Sequence, residues 1–380
     1  MNGVTEQTNG QAKATNGDGA HGKLRLTPAS QTHRGRNPAG QSYVLSQCSG
    51  ESLYIPSSNS IMRLAAGKEQ TAGSFAIATS QGAASEAIVP HMHKDAHDTF
   101  LCLRGSLQVW CNNESRVLYP GDFASVPPMA IHSYAQRSAA HNDFCGVISP
   151  GGWEEFFRVL GDAKEDDVLF PTGDKAPFPV QRFVQALQEG HDVIPQPQHA
   201  LVDATPFSDK DETLPQDASP YFLKADTGPR YLLAGQQLEL LCGKANSAGR
   251  FSMAWLEGSS QQPTSFLGPD ARVAFNSTST YLRIIDGGIS LTVNGQRETL
   301  NQGEAAVVAA GDAFRIDFST PYGRVLLASG TDRDFQGGLE ELFIAHGQRV
   351  DKNVVLGQEL AAPDQDTLQR WASTVGARLV

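Results

Sequence analysis

The chain has 380 residues, 40% hydrophobic and 19% charged, with a formal net charge of −11. That is enough chain and apolar content for two domains with cores of their own. The acidic balance argues against a nucleic-acid groove, which needs a basic field, and there is no run of about 18 apolar residues to cross a membrane.

Residues 1–38 begin MNGVTEQTNGQAKATNGDGAHGK. They are polar, rich in Gly and Asn, and lack the apolar stretch of a signal peptide, so a disordered tail is predicted. The cysteines (Cys48, Cys102, Cys111, Cys145 and Cys242) are odd in number, scattered and without CxxC spacing. Together with the missing secretion signal they read as reduced thiols in a cytoplasmic setting.

Residues 39–161 read as a first, β-rich domain. TFLCLRGSLQVWC from Thr99 and RVLYPGDFASVP from Arg116 are strand-like runs broken by Gly-containing turns. GGWEEFFRVLG from Gly151 has apolar residues at helical spacing between glycines, which predicts a short closing helix. Residues 162–219, frequent in Pro, Asp and Gln, read as a surface connector with a possible helix in VQRFVQALQEG. Strands resume over residues 220–345, as in TYLRIIDGGISLTVNG from Thr280, and close with GGLEELFIAHG. Residues 346–380 form a C-terminal extension with an amphipathic helix that places Leu368, Trp371 and Val375 on one face.

The two β-rich regions are copies of each other. YVLSQCSGESLYI from Tyr43 is echoed by YFLKADTGPRYLL from Tyr221, and AAGKEQTAGSF by LCGKANSAGRF. Gly105, Leu118 and Gly121 recur 182 positions on as Gly287, Leu300 and Gly303, and GGWEEFF recurs as GGLEELF. Many short strands with closely spaced turn signals predict all-β barrels or sandwiches with peripheral helices.

Three of the ten histidines crowd into VPHMHKDAHDTF. A solvated loop would explain them; so would a metal site. His91 and His93 are two residues apart, so on a strand both point to one face. A turn in KDAH brings Asp98 back on a partner strand to face them. A further ligand must come from another strand, and His132 in SVPPMAIHSYA is placed for it. This set suits Fe, Mn, Co, Ni, Cu or Zn. His97 reads as a solvent-facing turn residue, or else as a replacement ligand if Asp98 falls short.

These residues carry a family resemblance. His91-x-His93-x4-Asp98-x6-Gly105 resembles the first cupin motif, and Gly121-x5-Pro127-x4-His132 the second, with Met129 where the motif has glycine. The chain from about Tyr43 to Phe343 is similar to the bicupins of the fungal quercetin 2,3-dioxygenase family. The resemblance implies two tandem double-stranded β-helix (jelly-roll) barrels with one divalent transition metal in the N-terminal barrel, held by His91, His93, Asp98 and His132. Asp98 stands where the family has Glu, one methylene longer. It either binds the metal or acts only as the base that takes the substrate's hydroxyl proton. Phe100 and Tyr134 match aromatic positions that line the family's pocket, or else are plain barrel core.

The expected function is O2-dependent ring cleavage of a flavonol-like, phenolic or polyketide-like aromatic substrate, in secondary metabolism, by a monomer or homodimer. The alternatives are a non-oxidative cupin (isomerase, lyase or dehydratase) using the metal as a Lewis acid, and a non-catalytic binding or storage bicupin. Moving the four ligand positions on by 182 gives Val273, Phe275, Thr280 and Phe314. The second barrel is therefore expected to be metal-free.

Overall fold

The computed structural model describes residues 26–27, 37, 39–164, 170–171, 176–262, 267–268, 271–332, 334–351 and 363–380. Most of the tail read as disordered lies outside them. Within it, Leu26–Thr27 form a short strand parallel to Tyr43–Leu45, and Asn37 is buried. No helix among the described residues is long and apolar enough to cross a membrane.

Among the described residues, four sheets make two jelly-roll barrels. The first barrel opposes an eight-stranded sheet, which includes His97–Arg104 and Asn142–Ser149, to a five-stranded sheet that includes His91–Met92 and His132–Gln136. In the second barrel a nine-stranded sheet faces a five-stranded one. Several strands of the eight- and nine-stranded sheets are buried along their whole length, because one face lines a barrel and the other packs against the neighbouring barrel. Leu101, Phe123, Cys145, Met253, Trp255 and Tyr281 belong to the apolar cluster between the barrels.

The barrels exchange strands. Tyr43–Leu45 leaves the first copy and pairs with Ala305–Val308 of the second, Tyr43 opposite Val307. Tyr221–Leu223 pairs in turn with Phe123–Val126 of the first, Leu223 opposite Phe123. These are the two segments that begin the repeated YVL and YFL stretches, so the exchange is reciprocal.

Among the described residues four α-helices lie outside the barrels: α1 (Glu154–Leu160), α2 (Val180–Gln188), α3 (Leu339–His346) and α4 (Gln365–Thr374). α1 and α3 close the two copies where glycine-flanked helices were predicted. In α4, Leu368 and Ala372 are buried and Trp371 stacks on His346. The connector does more than run over the surface. Its α2 buries Ala186 and packs Phe183 and Leu187 against Trp153 and Phe156 at the mouth of the first barrel. Its apolar stripe needs a partner surface, and α1 supplies it.

Candidate metal centre

His91 and His132 stand directly opposite each other on adjacent antiparallel strands. His93 follows His91 by two residues, and the three imidazoles converge. Their ring centroids are 4.3 to 5.0 Å apart. One ligand atom from each lies within 4.8 Å of the others, close enough for the three to hold one metal ion.

Each ring is held by a backbone carbonyl at Nδ1: Val89 for His91, Asp192 for His93 and Ala130 for His132. A carbonyl can only accept, so each Nδ1 carries the proton and donates it. With Nδ1 so engaged, Nε2 is the atom each imidazole can offer to a metal. His132 Nε2 is buried and makes no hydrogen bond. A buried imidazole nitrogen that makes no hydrogen bond is costly, and a metal ion is what such a nitrogen suits.

Asp98 completes the set from across the barrel. Its Oδ2 is 3.3 Å from His93 Nε2 and 3.4 Å from His132 Nε2, while Oδ1 is buried and unpartnered. The route by which it arrives differs from the expected hairpin. His91–Met92 and His97–Arg104 belong to different sheets, so the KDAH turn carries the chain across the barrel, and Asp98 faces the histidines over the interior. Even with its short side chain the carboxylate reaches two of the three imidazoles.

Burial by itself would raise the Asp98 carboxyl, but the facing His93 and His132 outweigh it and hold it well below the usual range. Burial and the neighbouring imidazoles push His91 well down. At His93 burial also opposes charge, yet the Asp98 carboxylate and the Asp192 carbonyl prevail and the net shift is upward. The pocket is thus a buried anion facing imidazole nitrogens, a borderline N/O donor set that fits a first-row divalent metal.

His97 is not the solvent-facing residue expected from the sequence. It is 1% exposed, bonds Ser125 Oγ through Nε2 at 2.8 Å, and meets the Phe251 ring edge-on in the seam between the barrels. Burial first, with Arg250 adding to it, lowers its pKa to about 4. Strand alternation explains this: Asp98, Phe100 and Cys102 face the interior, so His97 faces the other barrel.

Phe100 and Tyr134 both line a cavity of about 290 Å³ that opens on His91, Asp98 and His132. Their rings are 5.6 Å apart. Burial, with the Asp98 charge, raises the Tyr134 phenol well above its ordinary value. Other wall residues were not foreseen as site residues, among them Trp153, Phe156 and Phe157 at and in the closing helix and Phe178, Phe183 and Val193 from the connector. The helical pattern around Phe183 was visible in the sequence, but nothing there says which barrel face it covers.

In the second barrel Val273 stands opposite Phe314, the register that His91 and His132 have in the first. Val273, Phe275, Thr280 and Phe314 are all buried, and the three apolar ones belong to the core of that barrel.

Comparison with known proteins agrees with this architecture. The model of the cupin domain family matches residues 80–142, which include His91, His93, Asp98 and His132. Quercetin 2,3-dioxygenase of Bacillus subtilis (strain 168) is 36% identical over 146 residues, 38% of this chain and 41% of that protein. The chain thus matches well under two thirds of the length of that relative. Quercetin 2,3-dioxygenase of Aspergillus japonicus is 26% identical over 295 residues, 67% of this chain and 79% of that protein. Among solved structures, protein Ylba from E. coli superposes with a TM-score of 0.51 at 8% identity, covering 78% of this chain and 93% of that one, a likeness of fold alone. With two jelly-roll barrels, the motif histidines in one of them and these relatives in sequence, the chain carries a cupin domain over residues 80–142 and resembles two-barrel cupin proteins over most of its length.

Proposed function

We propose that the chain is a metal-dependent, dioxygenase-type enzyme that takes a planar phenolic or enolic substrate, flavonol-like or polyketide-like, together with O2. One observation carries this reading: three imidazole Nε2 atoms and a buried carboxylate converge at the floor of an aromatic-walled cavity. The relatives named quercetin 2,3-dioxygenase support the reaction type.

His91, His93 and His132 would hold the metal, with Asp98 beside them. When bound, the metal supplies Lewis acidity and electron exchange with O2. The unpartnered Asp98 Oδ1 is the acceptor for a substrate hydroxyl proton. Phe100, Tyr134 and Trp153 offer flat apolar faces that orient a planar ring and exclude water. The second barrel serves as scaffold, and the strand it lends anchors the sheet that carries Asp98.

The test is metal analysis on protein purified without added metal, with oxygen uptake measured over a panel of polyphenols. One equivalent of metal per chain and substrate-dependent oxygen uptake are expected, and His132→Ala should lose most of both. Metal-dependent turnover without oxygen uptake would overturn the dioxygenase reading in favour of Lewis-acid chemistry. Two equivalents per chain would overturn the single site.

A further inference from the structure

The connector reaches into the metal centre through one residue. The backbone carbonyl of Asp192 accepts the Nδ1 proton of His93 and, at 3.1 Å, that of Trp153 Nε1. Its carboxylate accepts three backbone N–H groups in a row: Lys94 at 2.6 Å, Asp95 at 2.8 Å and Ala96 at 2.9 Å. Those three residues form the turn that carries the chain from His93, just past the strand His91–Met92 of one sheet, across the barrel to Asp98 in the other. One side chain therefore caps the turn between two site residues, while the same residue's carbonyl fixes the tautomer and tilt of the first.

The neighbouring connector residues tie this contact to the barrel. Ile194 and Pro195 pair with Met92 and His91, and Gln196 N–H donates to Pro90 O at 2.7 Å. Val193 lines the cavity. The connector thus adds an outer strand beside the histidine-bearing one, and Asp192 locks it in register.

We propose that Asp192 is a positioning residue of the metal centre: its carboxylate holds the Lys94–Ala96 turn, so that its carbonyl holds His93 with Nε2 free toward the metal. The proposal rests on the reading of His93 as a ligand. A histidine ligand whose outer partner is lost typically binds metal roughly 10- to 100-fold more weakly. Here the lost partner is the carbonyl, which drifts once the turn no longer anchors the side chain. Asp192→Ala removes all three turn bonds. Asp192→Asn keeps an oxygen acceptor at one position and sets an N–H2 against donors at the other, so it should fall between wild type and Ala.

The experiment uses full-length protein stripped of metal and reloaded with Co(II) alone. Affinity is read by chelator competition and ligand geometry by the visible d–d bands, with circular dichroism and the Tm recorded alongside. The expected result is roughly 10- to 100-fold weaker Co(II) binding in Asp192→Ala, with shifted bands, and a smaller change of the same kind in Asp192→Asn. A lowered Tm with unchanged affinity and bands would show a merely structural role and overturn the proposal. Should Asp192→Ala not fold, the same two readouts on Asp192→Asn decide. His93→Ala separates the two levels: if it binds Co(II) as wild type does, the ligand reading has failed and this proposal with it. If it loses Co(II) while both Asp192 variants match wild type, only the positioning role is overturned.

Discussion

His97 and Asp98 are consecutive in the chain and face opposite sides of one sheet. Asp98 Oδ2 lies 3.3 Å from His93 Nε2 inside the barrel, and His97 is turned into the seam, bonded to Ser125 and edge-on to Phe251. A strand cannot present both residues to one face, so only one of them can serve the metal centre.

Asp98→Asn keeps the size of the side chain and removes the proton acceptor. Activity is expected to fall by roughly 10²–10⁴-fold, the usual range for loss of a general base, while most of the metal stays on three imidazoles. His97→Ala should keep its metal and instead lower the Tm, because it leaves a hole in the barrel seam and removes the hydrogen bond to Ser125 Oγ. Loss of metal from His97→Ala at unchanged Tm would contradict the geometry.

The second barrel shows what the first would be without its chemistry. Thr280 holds the place of Asp98, opposite Val308 as Asp98 is opposite Val126. The fourfold variant His91→Val, His93→Phe, Asp98→Thr and His132→Phe copies that interior. It is expected to fold cooperatively with a Tm near that of the metal-free wild type and to bind no metal, since it trades a buried polar cluster for apolar core. Calorimetry and metal analysis check it, and an unfolded product would mean that the histidines also support the fold.

Met129 occupies the position of the motif glycine and has φ +67°, a left-handed conformation that costs a residue with a Cβ about 1–2 kcal/mol. Its N–H donates to His93 O at 2.7 Å, so the backbone cannot relax without loosening the site, while its side chain is largely exposed. Met129→Gly relieves that cost and adds back about 0.4–1 kcal/mol of unfolded-chain freedom. A small rise in Tm with metal content unchanged is expected in thermal unfolding.

Glu340, in the first turn of α3, is completely buried, and burial raises its carboxyl from 4.5 to about 8, with Ser329 opposing the shift only in part. Folded protein therefore keeps a proton that unfolded chain gives up near 4.5. The stability this contributes is full below that pH, declines as pH rises, and is lost through about 8. Glu340→Gln should flatten the fall of stability between pH 5 and 8 and make the variant the more stable of the two at pH 8. Denaturant unfolding at several pH values reads both effects, and parallel curves for the two proteins would contradict the assignment.

Alternation, turn residues and the internal repeat made the two barrels, their closing helices and the His91, His93 and His132 set legible without coordinates. Those features are local or periodic: a strand's two faces and a turn's glycines are written within a few residues. The empty ligand positions of the second copy could also be read directly, because a constant offset maps one copy onto the other. Contacts between distant segments were not legible. No spacing links Asp192 to a turn nearly a hundred residues earlier, or tells which barrel the Tyr43 and Tyr221 strands join. The choice of Asp98 over His97 was legible in part: the motif spacing favoured Asp98 but left His97 open, because a one-residue change of register would have exchanged them. Packing decided that register: the seam between the barrels had room for an imidazole against Ser125 and Phe251, and the interior needed a carboxylate opposite two imidazole nitrogens.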